Sequence, residues 1–378
     1  QMPPPPVPPE TALSSEAPIL PSQGLDFSPL KAVLVVGPID GNDGDHTTRE
    51  KANMELVAAE LEAHGVTVKR LYTPQDDWTK VRAAAQGAHF FFYRGHGVLQ
   101  GSGPDSSAGG LYLSSGMVSP EQMRDELHLA PNAIVMIYGC FAAGSSGVDE
   151  GAIGSVEAQR RVADYADPFL DMGASGYYSN WFGNAFQMFM SYLFQGMTLG
   201  QAYESFYDYD ASTVERYAPP SHPELVMWLD KDLWQEVWWY NNAFAGMSNR
   251  TLEDLFQLEG IDVEISPLAI TYLADTQASP RTFQFQVAGE GAASFGWTAS
   301  ISPDADWLEL QPGSGASGET ATVVIMPAGL PPGTHQATVL VETGTSGAQQ
   351  PATLSVTLHI VEEIRAVYLP LFLSSAAP

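Results

Sequence analysis

Two short stretches place a reactive side chain directly after an apolar run. His96 lies in "HFFFYRGHGVL" and Cys140 lies in "NAIVMIYGCFAAG". A thiol becomes nucleophilic when it loses its proton, and a nearby imidazole takes that proton or stabilises the thiolate. The two stretches together therefore predict an acyl-transfer site.

Glycines flank both reactive residues: Gly95 and Gly97 enclose His96, and Gly139 precedes Cys140. Glycine lets the backbone turn sharply and lets a ligand approach the main chain closely. We expect a peptide to lie against these glycines. The N–H groups of Gly97 and Cys140 would then face a developing oxyanion.

The elements that must position these residues alternate between strands and helices. Apolar segments such as "KAVLVVG", "HFFFY", "NAIVMIYG" and "GASGYYSN" are separated by helical stretches such as "DDWTKVRAAAQ". This pattern predicts a mostly parallel α/β sheet covered by helices on both faces. The carboxyl ends of such strands share one edge. Taken singly, a strand-end cysteine or a glycine-flanked histidine is usually structural, but their joint placement favours catalysis.

Composition predicts the domain boundaries. Residues 1–24 are rich in proline and predict an extended linker. Residues 25–260 form the predicted α/β domain, in which we expect the Trp- and Tyr-rich segment 205–260 to fold as helices on the sheet. Residues 261–363 show short alternating runs separated by turn residues, which predict an antiparallel β-sandwich. Residues 364–378 are predicted to be a short strand and a tail.

Charge and cysteine content exclude several classes of function. The chain has 44 acidic and 16 basic residues, a formal net charge of -28. This balance disfavours nucleic acid and anionic membrane surfaces as partners. A single cysteine allows no intrachain disulfide. No apolar run reaches the length of a transmembrane helix. The chain opens with Gln1 and shows no signal peptide, as expected for a trimmed or mature form.

The two strand-end motifs resemble those of the caspase-like cysteine peptidases. "YRGHG" and "YGCFAAGSSG" each follow an apolar strand, and the segment from "ADPFLDMGASGYYSN" onward is similar to gingipain-like members. The clan also includes caspases, metacaspases, legumain and clostripain. Over residues 25–210 the resemblance implies a caspase-like fold and endopeptidase activity. Cys140 would be the nucleophile, His96 the general base or acid, and Gly97 and Cys140 the oxyanion donors. Gly139 replaces the acidic residue or alanine of several relatives, which leaves the subfamily open.

In this clan the loop after the first strand commonly helps to form the pocket for the residue before the scissile bond. Here that loop is "GPIDGNDGDHTTRE". Asp43 or Asp45 would bind Lys or Arg through paired hydrogen bonds, whereas Arg49 would bind Asp. Because acidic residues predominate, a basic preference is favoured. Thr47 and Glu50 also have capping-box spacing, which predicts a helix start.

Other residues are candidates for binding a metal ion or the substrate. "DGNDGD" offers clustered oxygens for calcium without EF-hand spacing, so we expect no cofactor, with calcium as the alternative. Trp181 is placed to line the substrate cleft. Asp149 and Glu150, in the loop after Cys140, are second candidates for binding a basic residue or controlling self-processing, although each more commonly would be a solvated loop residue.

The C-terminal part resembles the BACON-type immunoglobulin-like modules of secreted bacterial proteins. The similar features are "FGWTAS", "DWLELQPGSG" and "GLPPGTHQATVLV". The resemblance implies an extracellular or cell-surface location. Carbohydrate or the cell surface would be a second partner beside a peptide or protein substrate, or the module is a spacer, with Trp297 and Trp307 either stacking on sugar or filling the core. The prediction is a secreted cysteine endopeptidase. The alternative is an inactive surface or carbohydrate-binding protein that uses the sheet as a scaffold.

Overall fold

A computed structural model describes residues 25–100, 107–258, 263–289, 295–343 and 351–363. The chain divides into two compact units, and the boundary follows Gly260. The predicted linker (residues 1–24) and tail (residues 364–378) lie outside the described residues.

The first unit contains eleven strands and seven helices within the described residues. In chain order they are β1 (Lys31–Val36), α1 (Asp45–Ala63), β2 (Thr67–Tyr72), α2 (Trp78–Ala85), β3 (Phe90–Arg94), β4 (Gly97–Gln100), β5 (Ser107–Leu113), β6 (Gly116–Val118), α3 (Pro120–Glu126), β7 (Ile134–Tyr138), α4 (Ser155–Asp171), β8 (Gly176–Asn180), α5 (Ala185–Phe194), α6 (Leu199–Glu204), β9 (Glu215–Tyr217), β10 (Val226–Trp234), β11 (Val237–Gly246) and α7 (Leu252–Phe256).

An eight-stranded sheet forms the centre of this unit, in the order β2-β1-β3-β7-β8-β11-β10-β9. The first five of these strands are parallel. β3, β7 and β8 are buried along their whole length, as the largely apolar sequences of β3 and β7 predict. β3 and β7 are direct neighbours, and Arg94 pairs with Tyr138. The residues that follow the two strands therefore leave the sheet side by side.

Helices cover both faces of the sheet, which confirms the predicted α/β architecture. Side chains alternate between the faces along each strand because the strand period is two. On one face Val33, Phe91 and Val135 pack with α2, α3 and α4. On the other, Leu34 and Phe92 pack with α1, α5, α6 and α7.

The prediction that segment 205–260 folds as helices is wrong in part, because its aromatic stretch forms β10 and β11 and a shorter strand, β9, precedes them. β10 and β11 form an antiparallel hairpin that joins β8 through β11. Its turn residues Gln235 and Glu236 have φ angles of 46° and 69°. Two consecutive positive φ angles are the mirror-image turn that usually carries Asn-Gly. Because Gln-Glu stands here in place of Asn-Gly, the sequence contains no recognisable signal for a hairpin turn.

A separate three-stranded sheet, β4-β5-β6, was not predicted. β4 begins at Gly97, directly after His96, and pairs with β5. The chain therefore leaves β3 into a second sheet beside the carboxyl edge of the main sheet.

The second unit is a β-sandwich, as predicted. Its strands are β12 (Val263–Ser266), β13 (Ala269–Asp275), β14 (Arg281–Gly289), β15 (Gly296–Ser302), β16 (Leu308–Gln311), β17 (Ser314–Ala316), β18 (Thr320–Ile325), β19 (Gly333–Thr343) and β20 (Ala352–Val361). They form a four-stranded sheet, β12-β14-β18-β16, and a five-stranded sheet, β13-β20-β19-β15-β17. The pairing is antiparallel except between β13 and β20, which are parallel. Both tryptophans fill the interior, because Trp297 is 1% and Trp307 is 8% exposed.

Candidate active site

His96 and Cys140 emerge from neighbouring strands at one edge of the main sheet. Gly95 N–H donates to the carbonyl of Tyr138 at 3.0 Å, so the pairing continues past the strand ends. A Cβ on Gly97 would collide with the carbonyl of Cys140. Their main chains are thus in contact, and the glycines are needed because the two strand exits touch.

The imidazole of His96 is oriented by a backbone carbonyl. Its Nε2 lies 2.8 Å from the oxygen of Ile39, in the loop after β1. A carbonyl only accepts hydrogen bonds, so Nε2 carries the proton and Nδ1 is the nitrogen left to act as a base. His96 is exposed and Cys140 is half-buried, so a substrate has access to both.

The backbone turns sharply after the cysteine. Phe141 has a φ of 72°, a left-handed conformation that is costly for a bulky residue. The turn is closed by the Phe141 N–H, which donates to Ser145 at 3.1 Å. Beneath it, the guanidinium of Arg161 lies 5.0 Å from the Phe141 ring and donates twice to Asp149. Asp149 is therefore a structural partner of α4 and not the solvated residue that was expected.

A small pocket that is partly open to solvent is lined by Gly139, the residue directly before Cys140. Its walls come from the ends of β7 and β8, from β11, and from the loop after the cysteine. They are Tyr138, Gly139, Ala143, Ser145, Ser146, Gly147, Ser179, Asn180, Trp181, Trp239, Tyr240 and Asn241. The loop is tied to β11, since Ser145 N–H donates to Tyr240 O at 3.0 Å and Tyr240 N–H donates to Ser145 Oγ at 2.9 Å. The pocket thus has a fixed wall on each side.

Four polar atoms of the pocket side chains have no hydrogen-bond partner among the described residues. They are Nδ2 of Asn180, Nε1 of Trp181, Nε1 of Trp239 and Oδ1 of Asn241. Buried polar groups are nearly always paired, because an unpaired group loses its hydration without compensation. Each of these four atoms is enclosed by the surrounding packing, so its polar group is desolvated without a hydrogen bond among the described residues.

A carboxyl cluster lies directly behind Asn241. The Asn241 amide donates to Asp232 at 2.6 Å and faces Asp208 at 3.4 Å. Burial, together with the charge of Asp232, raises the pKa of Asp208 to about 8. Burial also raises the pKa of Asp230. The side chains that line the pocket include no Lys, Arg or His in the described part of the chain. No cationic side chain of the pocket lining would therefore compete with a bound cation, although the proton on Asp208 reduces the negative charge behind the pocket near neutral pH.

A buried ion pair connects the histidine strand to the pocket. Arg94, two residues before His96, donates from Nε to Glu50 at 2.8 Å, and the two side chains are 0% and 1% exposed. Its Nη atoms donate to the carbonyls of Phe182 and Gly183, each at 3.0 Å. These carbonyls directly follow the pocket residue Trp181. Arg94 therefore holds the end of β8 against β3.

The loop after β1 and the first turn of α1 contain the predicted specificity residues Asp43 and Asp45. Asp43 is 94% exposed and lies 3.7 Å from Lys51. Asp45 is exposed in the first turn of α1. Neither lines the pocket, whereas Trp181 does.

The predicted capping box is wrong, because Thr47 and Glu50 both lie within α1. Asp40 accepts instead from the N–H groups of His46 and Thr47, each at 3.0 Å. These hydrogen bonds lower the pKa of Asp40 to about 2.

Sequence reasoning missed Asn241, Asp208 and Asp232. All three lie in the segment that was assigned to helices, where β11 brings Asn241 beside β8. Among the described residues no group of three His, Cys, Asp or Glu side chains is arranged to hold a metal ion. Within the same ranges, no helix has the length and apolarity needed to cross a bilayer.

No family model and no curated protein matches the chain. Among solved structures, a Bacteroides ovatus GH5 xyloglucanase is 20% identical over 26% of this chain and 19% of its own, with a TM-score of 0.20. The PapD-like domain 7 of human CEP192 is 15% identical over 27% of this chain and 87% of its own, with a TM-score of 0.22. The Vibrio cholerae VesB protease is 11% identical over 39% of this chain and 49% of its own, with a TM-score of 0.18. This chain therefore covers about a fifth of the xyloglucanase, and none of the three overlaps bears on the dyad.

Proposed function

We propose that the chain is a cysteine endopeptidase of caspase-like fold in which Cys140 and His96 form the catalytic dyad. The observation that carries the proposal is the contact between Gly97 and Cys140 at the ends of two adjacent parallel strands. The hydrogen bond from Nε2 of His96 to Ile39 adds support, because it leaves Nδ1 to act on the thiol. A purely structural cysteine would need neither the oriented imidazole nor the strained turn at Phe141.

The proposed reaction uses only side chains and main-chain groups at this edge. His96 accepts the thiol proton, and the thiolate of Cys140 attacks the scissile carbonyl to form a C–S bond. The N–H groups of Gly97 and Cys140 stabilise the oxyanion. Collapse of the intermediate breaks the C–N bond, and His96 returns the proton to the leaving amine. Water then hydrolyses the thioester and regenerates the thiol.

We assign the pocket beside Cys140 to the residue before the scissile bond and retain the preference for Lys or Arg. The support comes from different residues than Asp43 and Asp45. The side chain of Asn241 lines the pocket, and the carboxylate of Asp232, which accepts from the Asn241 amide, supplies negative charge behind it. The indole faces of Trp181 and Trp239 favour a cation by cation–π attraction.

We assign the sandwich to an extracellular or cell-surface setting. Burial of Trp297 and Trp307 favours the spacer role over sugar stacking by these two residues. Carbohydrate or the cell surface remains a proposed partner of this unit.

The dyad is tested on the full chain with fluorogenic peptides that carry Lys, Arg, Asn or Asp before the scissile bond. We expect cleavage after Lys or Arg and selective native-state labelling of Cys140 by iodoacetamide. Cys140→Ala and His96→Ala should remove turnover. His128→Ala is the matched control, because this exposed histidine precedes β7 at the opposite end of the strand. A thiol that reacts only after unfolding would refute the enzyme and favour the inactive scaffold.

The pocket assignment has its own test. Asp232→Asn should lower kcat/KM for Arg substrates by about tenfold, because it removes a negative charge behind the pocket whose attraction for the cation is on the order of 1 kcal/mol. Asp43→Asn and Asp45→Asn test the loop prediction in the same assay. A loss confined to the loop variants would move the specificity site to the loop.

A further inference from the structure

The β5–β6 hairpin presents an exposed apolar pair beside the histidine. Tyr112 on β5 pairs directly with Met117 on β6. The two side chains are 42% and 51% exposed, whereas the preceding pair on the opposite face, Leu111 and Val118, is buried. The hairpin alternates as a half-buried sheet should, but its outer face carries large apolar groups where polar residues are usual.

The pair is fixed relative to His96. The Tyr112 ring meets the imidazole edge-on, with ring centroids 5.9 Å apart. The hydroxyl of buried Tyr93 accepts from Tyr112 N–H at 3.1 Å and lies 3.0 Å from the carbonyl of His96. One buried hydroxyl thus ties the histidine loop to the hairpin.

The order of the strands determines which part of a peptide would reach this pair. The pocket is built from β7, β8 and β11, on one side of Cys140. β3 and His96 lie on the other side of β7, and the hairpin follows His96. A peptide whose side chain fills the pocket therefore crosses the cysteine and leaves past the histidine.

The chemistry of the second half-step restricts the position further. His96 must come within hydrogen-bond reach of the leaving amine in order to protonate it. The residue that carries this amine is the first residue after the scissile bond. Its side chain therefore lies within a few ångströms of the imidazole, as the Tyr112 ring does.

We infer that Tyr112 and Met117 form the binding site for the residue after the scissile bond and select a large aliphatic or aromatic side chain there. This inference rests on the proposed peptidase function. The occupant is part of the substrate, because the pair is continuous with the dyad through the Tyr112–His96 contact. Tyr112 and Met117 are specificity residues, and neither takes part in proton transfer.

The test uses quenched peptides with one constant sequence up to the scissile bond and Leu, Phe, Ser or Asp after it. We expect kcat/KM to be about tenfold higher for Leu and Phe than for Asp, the discrimination that a modest apolar contact supplies. Met117→Asp should remove most of this preference. Leu56→Asp is the matched control, since Leu56 in α1 is also 51% exposed, and it should retain the preference.

A methyl ester of the same peptide separates the two proposals, because its leaving group has no side chain. Wild type and Met117→Asp should hydrolyse the ester equally. Ester hydrolysis combined with a flat response to the residue after the bond would overturn this inference alone. Absence of all Cys140-dependent turnover by the wild type would overturn the proposed function and the inference together.

Discussion

Replacing Arg94 with methionine should strongly destabilise the first unit. Arg94 and Glu50 are 0% and 1% exposed and lie 2.8 Å apart. Removing one partner of a buried pair leaves the other charge without compensation and costs about 3–5 kcal/mol. The carbonyls of Phe182 and Gly183 also lose their guanidinium donors. Against a typical domain stability of about 5–15 kcal/mol, this loss is a large fraction.

Arg70→Met is the matched control. Arg70 also bridges two carboxylates, Glu55 and Glu62, but all three side chains are between 34% and 49% exposed. Solvent screens such pairs, so we expect a loss below about 1 kcal/mol. The same chemical change is thus made once in the interior and once at the surface.

Urea-dependent hydrogen exchange, followed by mass spectrometry, measures the loss of stability in both variants. Peptides from β3 and β7 report the free energy of opening of the first unit separately from the sandwich. Glu50→Gln and the Arg94→Met/Glu50→Gln double variant complete a mutant cycle, in which the double variant should lose less than the sum of the single losses. Equal losses for Arg94→Met and Arg70→Met, or strict additivity in the cycle, would refute the reasoning.

Two further predictions concern the carboxyl cluster and the sandwich. Burial and the charge of Asp232 raise the folded-state pKa of Asp208 to about 8, above the ordinary aspartate value of about 4, so the native state holds an extra proton between these values and loses stability as pH rises through this window. The free energy of unfolding of Asp208→Asn should therefore rise by at least ~1 kcal/mol relative to that of wild type as the pH of thermal melts is raised from 5 to 9. Parallel stability–pH profiles of the two proteins would contradict the raised pKa of Asp208. Trp297→Ala should cost the second unit about 3–5 kcal/mol, because the ring is 1% exposed and packs 6.4 Å from Phe285. Leu273→Ala, at 53% exposure, should change its stability by less than about 0.5 kcal/mol, and equal effects would exclude Trp297 from the core.

Local patterns in the sequence were sufficient to predict the strands that end beside His96 and Cys140. β3 and β7 are largely apolar along their length because helices cover both of their faces. Parallel strands with helical crossovers end at one edge of the sheet, so the sequence alone predicts that His96 and Cys140 lie there. The sandwich was predicted for a similar reason, since alternation and turn residues are local signals.

The β10–β11 hairpin shows where local reading fails. Its turn has the geometry of Asn-Gly but contains Gln235 and Glu236, which the surrounding fold holds at positive φ. Without a turn signal the aromatic run was ambiguous between strand and helix. The error removed β11 from the predicted sheet, and with it one wall of the pocket.

The sequence by itself determined that β3 and β7 are buried and that His96 and Cys140 follow them, because a strand that is buried on both faces has a largely apolar composition. Only the tertiary structure decided what surrounds those residues. Asn241, Asp232 and Asp208 reach the site through the pairing of β11 with β8, a contact between segments far apart in the chain. The raised pKa of Asp208 arises first from desolvation and then from the charge of Asp232. Desolvation is a property of the folded packing and leaves no pattern in the sequence.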